Sequence, residues 1–128
     1  TIKEALEASE AYGIAVYVDL ILSRNPIESA RRALGLGSHV ILLHIGVDAQ
    51  KALGLTAYEL RGLVKKLSEE GATVAVAGGI KPREAGVLID SGASIVIIGG
   101  AITRAGDPRS AALKALEALD DAGARCKG

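Results

Sequence analysis

Phenylalanine, tryptophan and methionine are absent from this 128-residue chain, whose only aromatic side chains are Tyr12, Tyr17 and Tyr58. A core must therefore be packed from aliphatic residues. The single cysteine, Cys126, excludes an internal disulfide and fits a reducing compartment; set in a polar tail, it makes a poor catalytic thiol. Net charge is zero, 15 basic against 15 acidic residues, which excludes a general attraction to nucleic acid or to anionic membrane and makes any anion site local. No apolar run nears the roughly 20 residues of a membrane span, and no secretory signal opens the chain, so a cytoplasmic protein without a membrane partner is expected. Gly-x-Gly-x-x-Gly, a Walker loop, metal-type Cys or His spacing and a nucleophile elbow are all missing. Length is short as well, because a complete (β/α)8 barrel takes about 250 residues. The absence of an initiator Met is compatible with processing before Thr1 and with excision from something longer.

What is present describes one globular α/β domain over residues 1–128, with 49% hydrophobic and 23% charged residues. Helix formers from Thr1 to Tyr12 stop at Gly13, and Ile14 to Ile21 reads as a strand. Asn25-Pro26 opens a helix that runs through Leu34 towards Gly35 and Gly37. His39 to His44 is a second strand, 48–54 a loop or short helix, and Thr56 an N-cap for a helix over Tyr58 to Glu70 closed by Gly71. A third strand ends at Ala77, a helix spans Pro82 to Asp90 before Gly92, a fourth strand ends at Ile98, and Asp107-Pro108 starts a last helix to about Ala122. The strands are almost continuously apolar, which predicts a parallel sheet covered by helices on at least one side. Four such strands make an open sheet or half of a barrel, and periodicity does not separate the two.

Ligands in either architecture bind at the carboxyl ends of parallel strands. Those ends carry Asp19, His44, Gly78-Gly79 and Gly99-Gly100. The glycine pairs each close an apolar run and open into a helical segment, about one strand-helix unit apart, which is the layout of a divided phosphate site: backbone N–H groups approach the anion where no side chain intervenes. Tight turns are the competing explanation for any one pair. Asp19 lies in an apolar run, either as a ligand group or as a structural acid bonded to loop N–H groups. His44 divides between a core histidine and an active-site imidazole. Asp48 is favoured as a loop cap. Lys81 and Arg104 stand near enough to assist a phosphate, although exposed cations are more often merely solvated.

The segments Asp19-Leu20-Ile21, Leu43-His44-Ile45-Gly46-Val47-Asp48-Ala49-Gln50, Val74 to Ile80 and Ile95 to Thr103 together resemble 3-hexulose-6-phosphate synthase, in order and spacing, from Thr1 to about the end of the last helix. The resemblance implies a member of the orotidine-monophosphate decarboxylase superfamily of (β/α)8 barrels, represented here by a (β/α)4 half-barrel, strands five to eight. It implies an Mg2+-dependent phosphosugar aldolase that condenses formaldehyde with ribulose 5-phosphate, usually as a dimer, with Asp19 and His44 near the reacting carbons and Gly78, Gly79, Gly99 and Gly100 on the phosphate. Some relatives have Arg where Gly100 stands, so phosphate binding here would lean on backbone N–H groups. The family's Asp-x-Lys-x-x-Asp motif and the acids that help hold Mg2+ have no counterpart in this chain. The expected partners are therefore a phosphorylated sugar and either the missing N-terminal half-barrel or a second copy. Two alternatives remain: a non-catalytic half-barrel that self-assembles or binds a phosphorylated ligand, and another phosphate-binding barrel such as a pentulose-phosphate epimerase or a keto-gulonate-phosphate decarboxylase.

Overall fold

In the computed structural model, residues 1–44, 46 and 57–126 are described. Asp48, the loop expected at 48–54 and the cap expected at Thr56 lie outside them. Helix α1 (Ile2–Tyr12) begins with a capping box: Glu4 N donates to Thr1 Oγ1 at 3.4 Å, and the Thr1 amine donates to Glu4 Oε2 at 2.6 Å. It ends at the left-handed cap residue Gly13. Strand β1 (Tyr17–Asp19) is followed by α2 (Pro26–Gly35), whose N-cap Asn25 accepts from Glu28 N, and by β2 (Val40–His44). Then come α3 (Ala57–Glu69) and β3 (Val74–Ala77). A 3-10 turn (Pro82–Glu84) leads into α4 (Ala85–Asp90), and β4 (Ile95–Ile97), α5 (Gly100–Thr103) and α6 (Pro108–Cys126) complete the order. Each of the three prolines sits in the first turn of a helix or 3-10 turn, where its missing N–H would have had no intrahelical acceptor.

The four strands form one parallel sheet in the order β1-β2-β3-β4. Successive strands are neighbours, so each crossover helix falls on the same side. The buried cluster is correspondingly one-sided. Val18, Ile41, Leu43, Val74 and Val76 project from the sheet onto Ala30, Ala33, Leu60, Val64, Leu67 and Leu88. Full burial of one such aliphatic side chain is worth about 1.5–3 kcal/mol, and here the aliphatics carry the core without aromatic help. Arg31 joins the helical layer across α2 and α3, donating from Nε and Nη2 to the two oxygens of Glu70 at 2.9 and 2.6 Å. That hydrogen-bonded guanidinium holds the Glu70 carboxyl below its ordinary range.

Three boundaries differ from expectation. The strand expected over Ile14 to Ile21 is only Tyr17–Asp19: β1 is an edge with one neighbour, and Ile14 is exposed. The helix expected from Pro82 divides into a 3-10 turn and α4, because Lys81 N donates to Glu84 Oε2 at 2.7 Å and tightens the entry. Cys126, expected in a tail, is instead the final residue of α6, which runs past Ala122.

α4 and α6 approach closely at Gly86. A Cβ there would meet the Ala118 carbonyl oxygen at 2.5 Å and the Ala122 Cβ at 3.6 Å, so only hydrogen fits.

Candidate functional site

Alternation along the strands sends Tyr17, Asp19, Leu42, His44, Ala75, Ala77, Ile95 and Ile97 to the face away from the helices. Register aligns them in rows: Asp19 beside Leu42, Leu42 beside Ala75, His44 beside Ala77, and Ala77 beside Ile97. This face is open. Tyr17 is 45% and Ile97 44% exposed, whereas Ala75 and Ala77 between them are buried.

Asp19 and His44 meet at the carboxyl end of that face. The register puts Asp19 opposite Leu42, so the next side chain on the same face of β2 is His44, one diagonal step away. Asp19 Oδ2 lies 2.9 Å from His44 Nδ1, and Asp19 Oδ1 accepts from Ile21 N at 2.9 Å. The carboxylate thus closes the turn after β1 and orients the imidazole. With a carboxylate accepting at Nδ1, that nitrogen carries the hydrogen, and Nε2 is the atom left to exchange a proton with a ligand. Both groups are about one-third exposed, at 38% and 31% of the side chain, so solvent and ligand reach them. The structural role weighed for Asp19 is present, since its carboxylate accepts from the loop N–H of Ile21. His44 is no core histidine. The other histidine, His39, accepts from Val16 N at 3.3 Å through Nδ1, a link between β1 and β2 at the opposite end.

The glycine pairs follow the neighbouring strands β3 and β4. Gly78 and Gly79 have φ of 100° and 58°, a left-handed stretch that side chains resist, and the chain then buries Ile80. A Cβ at Gly99 would meet nothing within 4 Å; the space over it is open to a ligand. Gly99 O accepts from Ile102 N and Thr103 N at 2.9 and 3.1 Å, which winds α5 directly after β4. Gly100 differs, because the Arg104 guanidinium lies against it, in the volume a Cβ would need. Of the two cations flanking the glycines, Arg104 is thereby brought onto the Gly99-Gly100 turn. Lys81 instead borders a groove between the 3-10 turn and α6, shared with Asp107, Lys114 and Glu117. Sequence spacing alone did not separate these two cations; the i,i+4 relation of Gly100 and Arg104 across one helical turn was the available signal.

Among the described residues no group of three His, Cys, Asp or Glu is assembled as a metal would require. Both oxygens of Asp19 are already engaged by Ile21 and His44. Mg2+ takes an oxygen-rich octahedral shell, often through one or two carboxylates, so these residues do not fit that ion and no step below runs through it. None of the described helices is long and apolar enough to cross a membrane.

Residues 1–115 match the model of the orotidine 5'-phosphate decarboxylase / HUMPS family. The chain is 38% identical over 112 residues to a 3-hexulose-6-phosphate synthase of Methylomonas aminofaciens, covering 88% of this chain and 53% of that protein. It is 34% identical over 120 residues to a 3-hexulose-6-phosphate synthase of Staphylococcus epidermidis, covering 94% and 56%. The crystal structure of the 3-hexulose-6-phosphate synthase from Salmonella typhimurium superposes with a TM-score of 0.82 at 30% identity, over 94% of this chain and 56% of that one. The chain spans about half the length of the curated relatives it matches, and its four-stranded parallel sheet is the half-barrel expected from the sequence.

Proposed function

The chain belongs to the orotidine 5'-phosphate decarboxylase / HUMPS family, and from that premise we propose that it is the phosphate-binding half of a phosphosugar aldolase of the 3-hexulose-6-phosphate synthase type. The observation that carries the reading is the Asp19–His44 pair, 2.9 Å apart on the strand-end rim that the glycine pairs also border. A phosphate site alone is common to many barrels, whereas an oriented imidazole beside it supplies a proton-transfer group.

In the proposed reaction a proton leaves C1 of ribulose 5-phosphate, the resulting enediolate carbon attacks formaldehyde, and the new carbon–carbon bond leaves an alkoxide on the former formaldehyde oxygen. That alkoxide takes up a proton to give the hexulose 6-phosphate. The Gly78-Gly79 and Gly99-Gly100 turns hold the phosphate at the far end of the sugar. His44 Nε2 exchanges the proton at the alkoxide, and Asp19 keeps the ring in the required tautomer. The group that takes the C1 proton is outside this chain, since no Asp-x-Lys-x-x-Asp occurs in it. A cytoplasmic setting, where sugar phosphates are found, is part of the same reading.

The assay is formaldehyde-dependent loss of ribulose 5-phosphate, run with this chain alone and with an N-terminal half-barrel supplied from a relative. No turnover alone and turnover in the mixture are expected. Activity of the chain alone would overturn the claim that essential groups lie elsewhere.

A second reading, a half-barrel that self-assembles without catalysis, is favoured by the open sheet face with Tyr17 and Ile97 exposed and by two edge strands, β1 and β4. Unpaired edges template further pairing, and eight strands is the number whose side chains just fill a barrel. Light scattering tests it: the isolated chain is expected as an oligomer, and a monomer with a cooperative melt argues against self-assembly.

A further inference from the structure

Gly100 is the position where absence of a side chain is filled by another residue. The Arg104 guanidinium lies against the first turn of α5, in the volume that a Cβ at residue 100 would take, and all three of the atoms nearest to that Cβ belong to the guanidinium. The arginine is exposed, and among the described residues it makes no ion pair. A cation with no ion pair among the described residues therefore rests against the turn whose other glycine, Gly99, faces open space. A guanidinium offers a planar fork of donors suited to phosphate oxygens, and one already lying on the turn loses less rotamer freedom on binding than one free in solvent.

We propose that Arg104 is the side-chain cation of the phosphate site, and that Gly100 is glycine so that this guanidinium can lie across the turn beside the anion. This rests on the phosphate-binding role assigned above to the two glycine pairs. The division of labour is then between backbone N–H groups on the strand-end turns, which orient the anion, and Arg104, which supplies the charge. A preference for phosphorylated over unphosphorylated sugars follows, since a neutral sugar gains nothing from the guanidinium.

Titration of the full chain with inorganic phosphate and with ribose 5-phosphate, followed by calorimetry, tests it. Arg104→Gln is expected to weaken both about tenfold, the scale of one charge-assisted hydrogen bond, and to flatten the salt dependence, while Arg104→Lys retains part of the affinity. Gly100→Ala, whose methyl displaces the guanidinium, is expected to weaken phosphate to a similar degree. The double variant Gly100→Ala/Arg104→Gln should then lose no more than Arg104→Gln alone, a non-additivity that a purely structural effect would not produce. Wild-type binding with unchanged affinity in Arg104→Gln overturns the role of Arg104 and leaves the glycine cradle standing. No binding by the wild type overturns the cradle and Arg104 together.

Discussion

His44 Nδ1 and Asp19 Oδ2 lie 2.9 Å apart although 25 residues separate them in the chain. The contact is a product of register. β1 and β2 pair in parallel with Asp19 level with Leu42, and the next same-face position on β2 is His44. A slip of one residue would turn His44 into the helical layer.

If the pair works as a proton-transfer unit, Asp19→Asn should preserve the position of the ring but remove the tautomer preference. In the complemented assay, turnover is expected to fall about 10²–10⁴-fold for His44→Ala, and comparably for Asp19→Asn. Binding of sugar phosphate should change little in either. A variant of His44 that keeps full turnover would remove the imidazole from the mechanism.

A Cβ at Gly99 would meet no atom within 4 Å, but its φ of −103° and ψ of −96° lie outside the regions open to a β-branched residue, so Gly99→Val adds local backbone strain as well as blocking a phosphate on the turn. Phosphate at a hundredfold excess over Kd protects a folded protein by about 2.7 kcal/mol. The expectation is a normal far-ultraviolet spectrum for Gly99→Val with at least half of the wild-type phosphate protection lost in thermal melts. Undiminished protection would put the anion elsewhere.

Gly86→Ala tests packing rather than chemistry. The added methyl meets the Ala118 carbonyl oxygen at 2.5 Å, a backbone atom that cannot rotate aside, so α4 and α6 must separate. Overpacking of this sort costs about 1–3 kcal/mol, which urea unfolding would register. A neutral result would mean that the two helices slide apart freely.

The Arg31–Glu70 pair gives a pH dependence with a definite sign. Glu70 is held below its ordinary value of 4.5 by the hydrogen bonds from Arg31. A carboxyl depressed on folding stabilises above its unfolded value, and the contribution is lost as pH falls from about 4.5 through the lower folded value. A double-mutant cycle with Arg31→Ala and Glu70→Ala should therefore give a favourable coupling at pH 7 that is weakened at an acid pH below the ordinary value of 4.5. Equal coupling at both pH values would exclude an ionic origin.

Much of the fold was legible in local chemistry. Asn25-Pro26 and Asp107-Pro108 marked helix starts that both appear, the latter with Ser110 N donating to Asp107 Oδ1 at 3.1 Å. β2, β3 and β4 fall within the apolar runs assigned to them. The misjudged edge was β1, because hydrophobicity reports burial while strand length depends on pairing, and Ile14 has no strand beside it. The proximity of Arg104 to Gly100 was signalled only by their i,i+4 spacing, and the requirement for hydrogen alone at Gly86 had no signature that composition could separate from any other Gly.

The amino-acid sequence by itself determined the alternation of strands and helices, the parallel sheet and the positions of Asp19, His44 and the glycine pairs at strand ends, since each follows from period, capping and chain order over a few residues. Only the tertiary structure decided which of these groups touch. The 2.9 Å contact between Asp19 and His44 and the open face that leaves Tyr17 and Ile97 exposed arise from register between strands and from the side on which helices pack. Those relations join residues far apart in the chain, and no local pattern specifies them.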